Sequence, residues 1–138
     1  MHAQVILFAG IGHVIVDTIT LLDLGADHVL VETAYSCISP GTELRCLAGE
    51  QPRAAAWPFI PGYALTGTVI ARGSNVEIAP GTAVFCRGTQ AASRSRMWGG
   101  HVSHAVVAAS EVYPLPRNAA LQASALAAMA AIALHVCG

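Results

Sequence analysis

Between Tyr35 and Gly67 the chain gathers most of the side chains that could carry chemistry. An apolar, strand-like run from His28 to Cys37 stops at Pro40-Gly41, a pair that marks a turn. The hydroxyls of Ser39 and Thr42 and the charges of Glu43 and Arg45 fall on that turn. A second turn, Ile60-Pro61-Gly62-Tyr63, presents a phenol before another apolar run begins. Polar side chains on tight turns at the ends of buried strands are a common way to build a site on a rigid scaffold. The same pattern also fits ordinary loops of a β-rich domain. Arg45 stays protonated, so it can pair with a phosphate or carboxylate but cannot shuttle a proton. Tyr63 can donate a hydrogen bond or a proton to a developing alkoxide, or be a core tyrosine with its hydroxyl satisfied. Glu43 can equally be a structural partner of a backbone amide or an arginine. Trp57, Phe59 and Trp98 could line an apolar pocket or simply fill the core.

The elements that must hold these turns read as mainly β. Gln4 to Phe8 and Val14 to Ile19 flank Gly10-Ile11-Gly12 and predict a hairpin. Gly10-x-Gly12 is a fragment of a dinucleotide fingerprint, but neither a third glycine nor a helix follows, so a turn is the reading taken. In the strand His28 to Cys37, Val29, Val31, Thr33 and Tyr35 fall on one face, with Leu30, Glu32, Ala34 and Ser36 opposite. Leu44 to Ala48 could form one helical turn, and Glu50 to Ala56 reads as a surface loop. Leu65 to Arg72, Thr82 to Cys86, His101 to Ala108 and Val112 to Leu115 are further strands, separated by Gly73-Ser74-Asn75, Pro80-Gly81 and a longer loop. That loop, Arg87 to Gly100, reads as mobile; its arginines could bind a phosphate or stand solvated. Short strands with glycine and proline turns describe an antiparallel barrel-like domain over residues 1–117. From Asn118, a plausible N-cap, the character changes to an alanine-rich helix over 118–138. Ala119 to Cys137 carries no formal charge and is apolar on all sides, as in a helix buried between two domains or subunits. Alanine drives membrane insertion weakly, and Gln122, Ser124 and His135 interrupt the run, so a bilayer span is the lesser reading. The expectation is self-association through this helix, most simply as a two-fold dimer.

At 138 residues the chain reads as a single compact unit, and with 54% hydrophobic and 11% charged residues it has the composition of an ordered domain. A net charge of −1 gives no electrostatic footprint for nucleic acid. The seven basic residues are all arginines, which excludes Schiff-base or general-base chemistry through lysine. Cys37, Cys46, Cys86 and Cys137 form no C-x-x-C and have no His-x3-5-His beside them, so a zinc site has weak support. Their scatter suits free thiols in a reducing compartment, and the N-terminus lacks the basic region of a signal peptide; a cytoplasmic location is expected.

Ser36-x-Ile38-Ser39-x-Gly41-Thr42-Glu43, Pro61-Gly62-Tyr63 and Gly67-x-Val69 resemble the N-terminal GroES-like domain of the medium-chain dehydrogenase/reductase superfamily. The turn is most similar to a zinc-less branch that includes the bacteriochlorophyllide dehydrogenases. The resemblance continues through Gly81-x-x-Val84-Phe85 and Gly99-Gly100 to Pro114-Leu115-Pro116, nearly the whole chain. It implies that the antiparallel barrel over residues 1–117 is partly open and GroES-like. Zinc-dependent members hold a catalytic zinc with a cysteine in the first turn and a His-Glu pair in the second. Here Ser39 stands near the cysteine position, one residue displaced, and Tyr63-Ala64 replaces the pair, so the resemblance implies no catalytic zinc. The structural metal lobe of zinc-containing relatives, with four cysteines, is also not expected, since Cys86 alone lies near. Thr42 matches the hydroxyl residue that relays a proton from substrate, and Arg45 falls where a relay histidine often sits.

The resemblance implies hydride transfer near Ser39, Thr42 and Tyr63, as the substrate-side domain of a zinc-independent NAD(P)-dependent oxidoreductase acting on a small apolar or secondary-metabolite substrate. Tyr63, Thr42 and Ser39 would be the catalytic group; Glu43, Arg45, Trp57, Phe59 and Trp98 would bind substrate or cofactor. The nucleotide would require a Rossmann domain, which in the family begins where this sequence stops, supplied as a partner or as a missing domain. The alternative, motivated by Ala64 and by Thr82 where relatives usually carry an acidic residue, is a stand-alone GroES-like domain without redox activity. Such a domain would bind an apolar small molecule or catalyse a cofactor-free cyclisation or isomerisation.

Overall fold

The computed structural model describes residues 1–52 and 56–137. Two β-branched runs, β1 (His2–Gly10) and β2 (His13–Thr20), pair antiparallel around Gly12, whose φ of 67° suits a residue without a side chain. The Gly10-Ile11-Gly12 fragment is therefore a hairpin turn, as its sequence context predicts. β1 also pairs with the two-residue β4 (Phe59–Ile60), which runs parallel to β7 (Ser95–Arg96), giving a four-stranded sheet. A second, five-stranded sheet has the order β8-β3-β5-β6-β9, from β3 (His28–Ser36), β5 (Leu65–Arg72), β6 (Ala83–Cys86), β8 (His104–Ala108) and β9 (Val112–Pro114). All its pairings are antiparallel. The two sheets curl around one core of Val5, Leu7, Val29, Val31, Ile60, Leu65, Val69, Val84 and Val107, and the architecture is the partly open antiparallel barrel expected. The loop expected over 50–56 falls in part on residues 53–55, outside the described residues.

Four local expectations are corrected. The strand β3 alternates only in its first half, where Val29 and Val31 are buried; between Thr33 and Tyr35 it carries one extra residue, Ala34, opposite β5, and beyond that bulge Tyr35 and Ser36 are both exposed. The Pro40-Gly41 turn and the helical turn at Leu44 are one helix, α1 (Pro40–Leu47). Proline at the first helical position has its φ already set and lacks only an N–H that would have no intrahelical partner. The segment 87–100, read as a mobile loop, is tied into the barrel: Thr89 N–H donates to the Gly99 carbonyl at 2.9 Å, Gln90 N–H to Val106 at 2.8 Å and Gly100 N–H to Pro61 at 3.0 Å. Its Arg94 lies 3.9 Å from Asp17 across an exposed pair.

The C-terminal helix is two pieces, α2 (Leu121–Ser124) and α3 (Ala127–Cys137), and Asn118 is not its N-cap. Asn118 sits in a turn closed by Ala119 N–H to the Pro116 carbonyl at 2.9 Å, and α2 starts only at Leu121. There the Thr66 hydroxyl donates to the Leu121 carbonyl at 2.7 Å and ties α2 to β5. Ala125 is buried against the barrel, whereas Ile132, Leu134 and Val136 on α3 are exposed. Among the described residues no helix is long and apolar enough to cross a membrane.

Two glycines test this geometry in opposite directions. A Cβ on Gly67, which pairs with Thr33, would fall on the backbone carbonyl of Glu32, while one on Gly41 would meet open space. Gly67→Ala is expected to destabilise the fold by about 1–3 kcal/mol or more through overpacking against main chain. Gly41→Ala should be neutral or stabilising, since alanine is the better helix former. Urea denaturation midpoints of the two variants check this; equal shifts would contradict the register of β3 on β5.

Candidate functional site

Ser39 precedes α1 in the N-cap position but makes no side-chain cap bond. Its backbone N–H is taken instead by Glu43 Oε1 at 2.8 Å, so Glu43 reaches back as the acid of a capping box does. The carboxylate also lies in the first turn, where the helix dipole favours negative charge. Ser39 Oγ is thereby left for the second turn: Tyr63 Oη donates to it at 2.9 Å, and Thr42 Oγ1 lies 3.4 Å from the same phenol. Three hydroxyls that sit on two turns, more than twenty positions apart in sequence, thus meet at one point. The Tyr63 ring is backed by Trp98, with centroids 4.6 Å apart.

Glu43 is only 5% exposed, and its second oxygen, Oε2, meets His101 Nε2 at 2.8 Å; His101 is 7% exposed. A buried carboxylate must have its oxygens paired, and Glu43 achieves this with one backbone amide and one imidazole. His101 Nδ1 in turn lies 2.9 Å from Ser36 Oγ, at the exposed end of β3. The ring lies over Gly62: a Cβ there would come within 2.7 Å of its atoms, and φ of +94° at this position already favours glycine. Two adjacent cavities open beside the pair. One, of about 420 Å³, is lined by Ile6, Phe8, Ile38, Leu44 and Leu47 together with Ser36, Glu43 and His101. The other, of about 250 Å³, shares Ile6, Ser36 and His101 and adds Gln4 and Ser103.

The other residues singled out in the sequence are dispersed. Arg45 is exposed on α1. Phe59 is fully buried, with Phe8 packed edge-on at 5.7 Å and Trp57 at 4.7 Å between centroids; these rings form a second small core with Cys46. Neither Trp57, Phe59 nor Trp98 lines either cavity. The thiols of Cys37, Cys46 and Cys86 are held protonated. Burial, then the charge of Glu43, pushes up Cys37 and Cys46; burial, then Glu111, pushes Cys86 up to about 12. Protonated thiols are poor nucleophiles and poor metal ligands. No three of the His, Cys, Asp and Glu side chains cluster as a metal-binding group among the described residues.

His101 is the participant that the sequence did not reveal. It stands 58 positions from Glu43 and follows Gly99-Gly100 in an unremarkable segment, and the one hint, Gly62 in the facing turn, is explained equally by turn geometry.

A family model for the alcohol dehydrogenase GroES-like domain matches residues 25–117. The chain is 32% identical over 139 aligned positions to the 2-desacetyl-2-hydroxyethyl bacteriochlorophyllide A dehydrogenase of Rhodobacter capsulatus, covering 98% of this chain and 44% of that protein. It spans less than half the length of each curated relative it matches. Benzyl alcohol dehydrogenase from Acinetobacter calcoaceticus superimposes with a TM-score of 0.76 at 12% identity over 88% of this chain and 43% of that one. A short chain alcohol dehydrogenase from Escherichia coli CFT073, complexed with NADH, gives 0.72 at 18% identity over 91% and 42%. At these identities the structures establish the fold.

Glu43→Ala removes the acceptor of both the Ser39 amide and His101 and leaves them buried without it. It is expected to cost about 3–5 kcal/mol of stability, against about 1 kcal/mol or less for Thr42→Ala, whose 3.4 Å contact is long. Chemical denaturation of both variants measures the difference; equal costs would mean that Glu43 does not tie the two turns together.

Proposed function

The chain belongs to the alcohol dehydrogenase GroES-like domain family, and we propose that it is the substrate-side domain of a zinc-independent, NAD(P)-dependent oxidoreductase that dehydrogenates an alcohol on an apolar framework. The observation that carries this reading is the convergence of Tyr63, Ser39 and Thr42 hydroxyls on one point between the two turns. Support for the substrate class comes from the relative in Rhodobacter capsulatus, whose name specifies a hydroxyethyl bacteriochlorophyllide. Zinc independence rests on the donor set: a serine hydroxyl, a phenol and the methyl of Ala64 do not make a zinc site, and Glu43 is already turned to an amide and an imidazole.

The residues present do not fit a dinucleotide. Gly10-Ile11-Gly12 closes a hairpin, and the sheets contain no βαβ unit among the described residues. The nicotinamide, which takes the hydride, belongs to a further domain or chain, in keeping with the neighbour solved with NADH. This chain's own part is to hold the reacting oxygen. The Tyr63 hydrogen now given to Ser39, redirected to a substrate oxygen, stabilises negative charge as it develops there, and the proton that the substrate hydroxyl loses passes to Thr42 Oγ1 as Thr42 gives its own to solvent. Arg45 is exposed on α1 and free to pair with an anionic group of that further domain or chain. The exposed Ile132, Leu134 and Val136 of α3 mark the surface covered by that nucleotide-binding domain or by a second copy of the chain, in a cytoplasmic protein.

Three measurements test the proposal. Assays of the full gene product with apolar primary and secondary alcohols and NAD⁺ or NADP⁺ should show reduction of the nucleotide, with Tyr63→Phe lowering kcat by about 100-fold at little cost in stability. Unchanged kcat in Tyr63→Phe would remove the phenol from the chemistry. Metal analysis of protein purified without chelator should find no stoichiometric zinc; one zinc per chain would overturn the reading of both turns. Light scattering of the 138-residue chain should show a dimer that Ala127→Glu with Ala131→Glu disrupts; a stable monomer would leave the nucleotide-binding domain as the cover of α3.

A further inference from the structure

Ser36, His101 and Glu43 are left over from the dehydrogenase reading, and their arrangement has a chemistry of its own. Glu43, as a carboxylate, can only accept hydrogen bonds, so the ring hydrogen facing it sits on His101 Nε2. In the neutral ring Nδ1 is then an acceptor, and the group 2.9 Å from it is the hydroxyl of Ser36. The carboxylate cannot swing away, because its other oxygen is held by the Ser39 amide at 2.8 Å. The base and its orienting acid are buried, while the hydroxyl is exposed and lies on the wall shared by the two cavities. The second nitrogen of His101 is turned to an exposed serine at the edge of an apolar space.

We propose that Ser36, His101 and Glu43 form a nucleophile–base–carboxylate triad, a second reactive site that accepts acyl groups from esters with short apolar acyl chains. The larger cavity, walled by Ile6, Phe8, Ile38, Leu44 and Leu47, takes the acyl chain, and the smaller one, with Gln4 and Ser103, takes the alcohol portion. Ser36 Oγ bonds to the acyl carbon as its proton passes to His101 Nδ1. The bond to the alcohol oxygen breaks, and the leaving alkoxide takes that proton. Water then attacks the acyl-Ser36 carbon, giving its proton to Nδ1, and the acid is released as the proton returns to Ser36 Oγ. No oxidant, metal or nucleotide enters, and Ser36 and His101 are the groups that touch the reacting atoms. Glu43 acts as a positioning residue that fixes the ring and balances the charge it gains. The site does not use Tyr63 or Thr42, so it stands or falls independently of hydride transfer.

The test is p-nitrophenyl acetate and p-nitrophenyl butyrate with the purified chain, following nitrophenolate release and mapping the acylated peptide by mass spectrometry. The expected result is a burst approaching one nitrophenolate per chain, with the acyl group on Ser36. Ser36→Ala should abolish the burst, and Ser110→Ala, a change at an exposed serine that lines neither cavity, should leave it intact. Glu43→Gln, which keeps the shape, should slow acylation by about 100-fold while leaving its half-saturating ester concentration unchanged. Should Glu43→Gln fail to fold by circular dichroism, Ser36→Ala decides alone, since it removes only an exposed hydroxyl. Acyl groups mapped to another residue, or a burst that survives Ser36→Ala, would overturn the proposal.

Discussion

The structure around the two turns depends on one buried carboxylate. Glu43 accepts from the Ser39 amide on its own helix and from His101 on a segment that arrives 58 residues later. Each bond has a consequence beyond itself. The first satisfies an N–H at the start of α1 and so leaves Ser39 Oγ for Tyr63. The second holds the imidazole over Gly62, which fixes the turn that carries Tyr63, and aims its other nitrogen at Ser36. α1, the end of β3, the second turn and the segment before β8 are thus joined through a single side chain. Burying a charge in this way is costly unless every oxygen is paired, and both oxygens of Glu43 have a partner.

The barrel supplies the rigid frame for that joint. β3 pairs with β8 on one side and β5 on the other, and the bulge at Ala34 lies between the buried Val29 and Val31 and the exposed Ser36. Gly67 lets the β5 backbone approach β3 where a side chain would strike the Glu32 carbonyl. The last strand residues and the first helical turn therefore sit at fixed positions relative to each other, which sets the Tyr63–Ser39 hydroxyl pair at 2.9 Å.

How much of this the sequence disclosed follows the range of the interactions involved. The β1–β2 hairpin was legible because turn chemistry and alternation are local, and so was β5, whose apolar run ends at Gly73. Pro40 serves a turn and the first position of a helix equally well, and the second role depends on Ser39 being placed as the N-cap, so the full length of α1 is not local information. The alternation of β3 ends at its bulge, which depends on what β5 places opposite. The polar residues of the first turn form a group in sequence, yet nothing local tells that Glu43 faces His101 while Arg45 faces solvent. The helix after Asn118 was drawn as one piece because its composition is uniform; the break at Ala125 is imposed by docking against the barrel.

The first turn of α1 separates two kinds of chemistry. On one side lie Ser39, Thr42 and Tyr63, hydroxyls bonded only to each other; on the other lie the imidazole of His101 and the hydroxyl of Ser36, facing apolar space. Neither cavity is lined by Tyr63 or Thr42, so a molecule held by Leu44 and Ile38 meets Ser36 before it meets the phenol. Among the described residues Glu43 touches both, with one oxygen on the Ser39 amide and the other on the imidazole. The link between the cavity and the hydroxyl cluster thus runs through one side chain whose oxygens are both already committed.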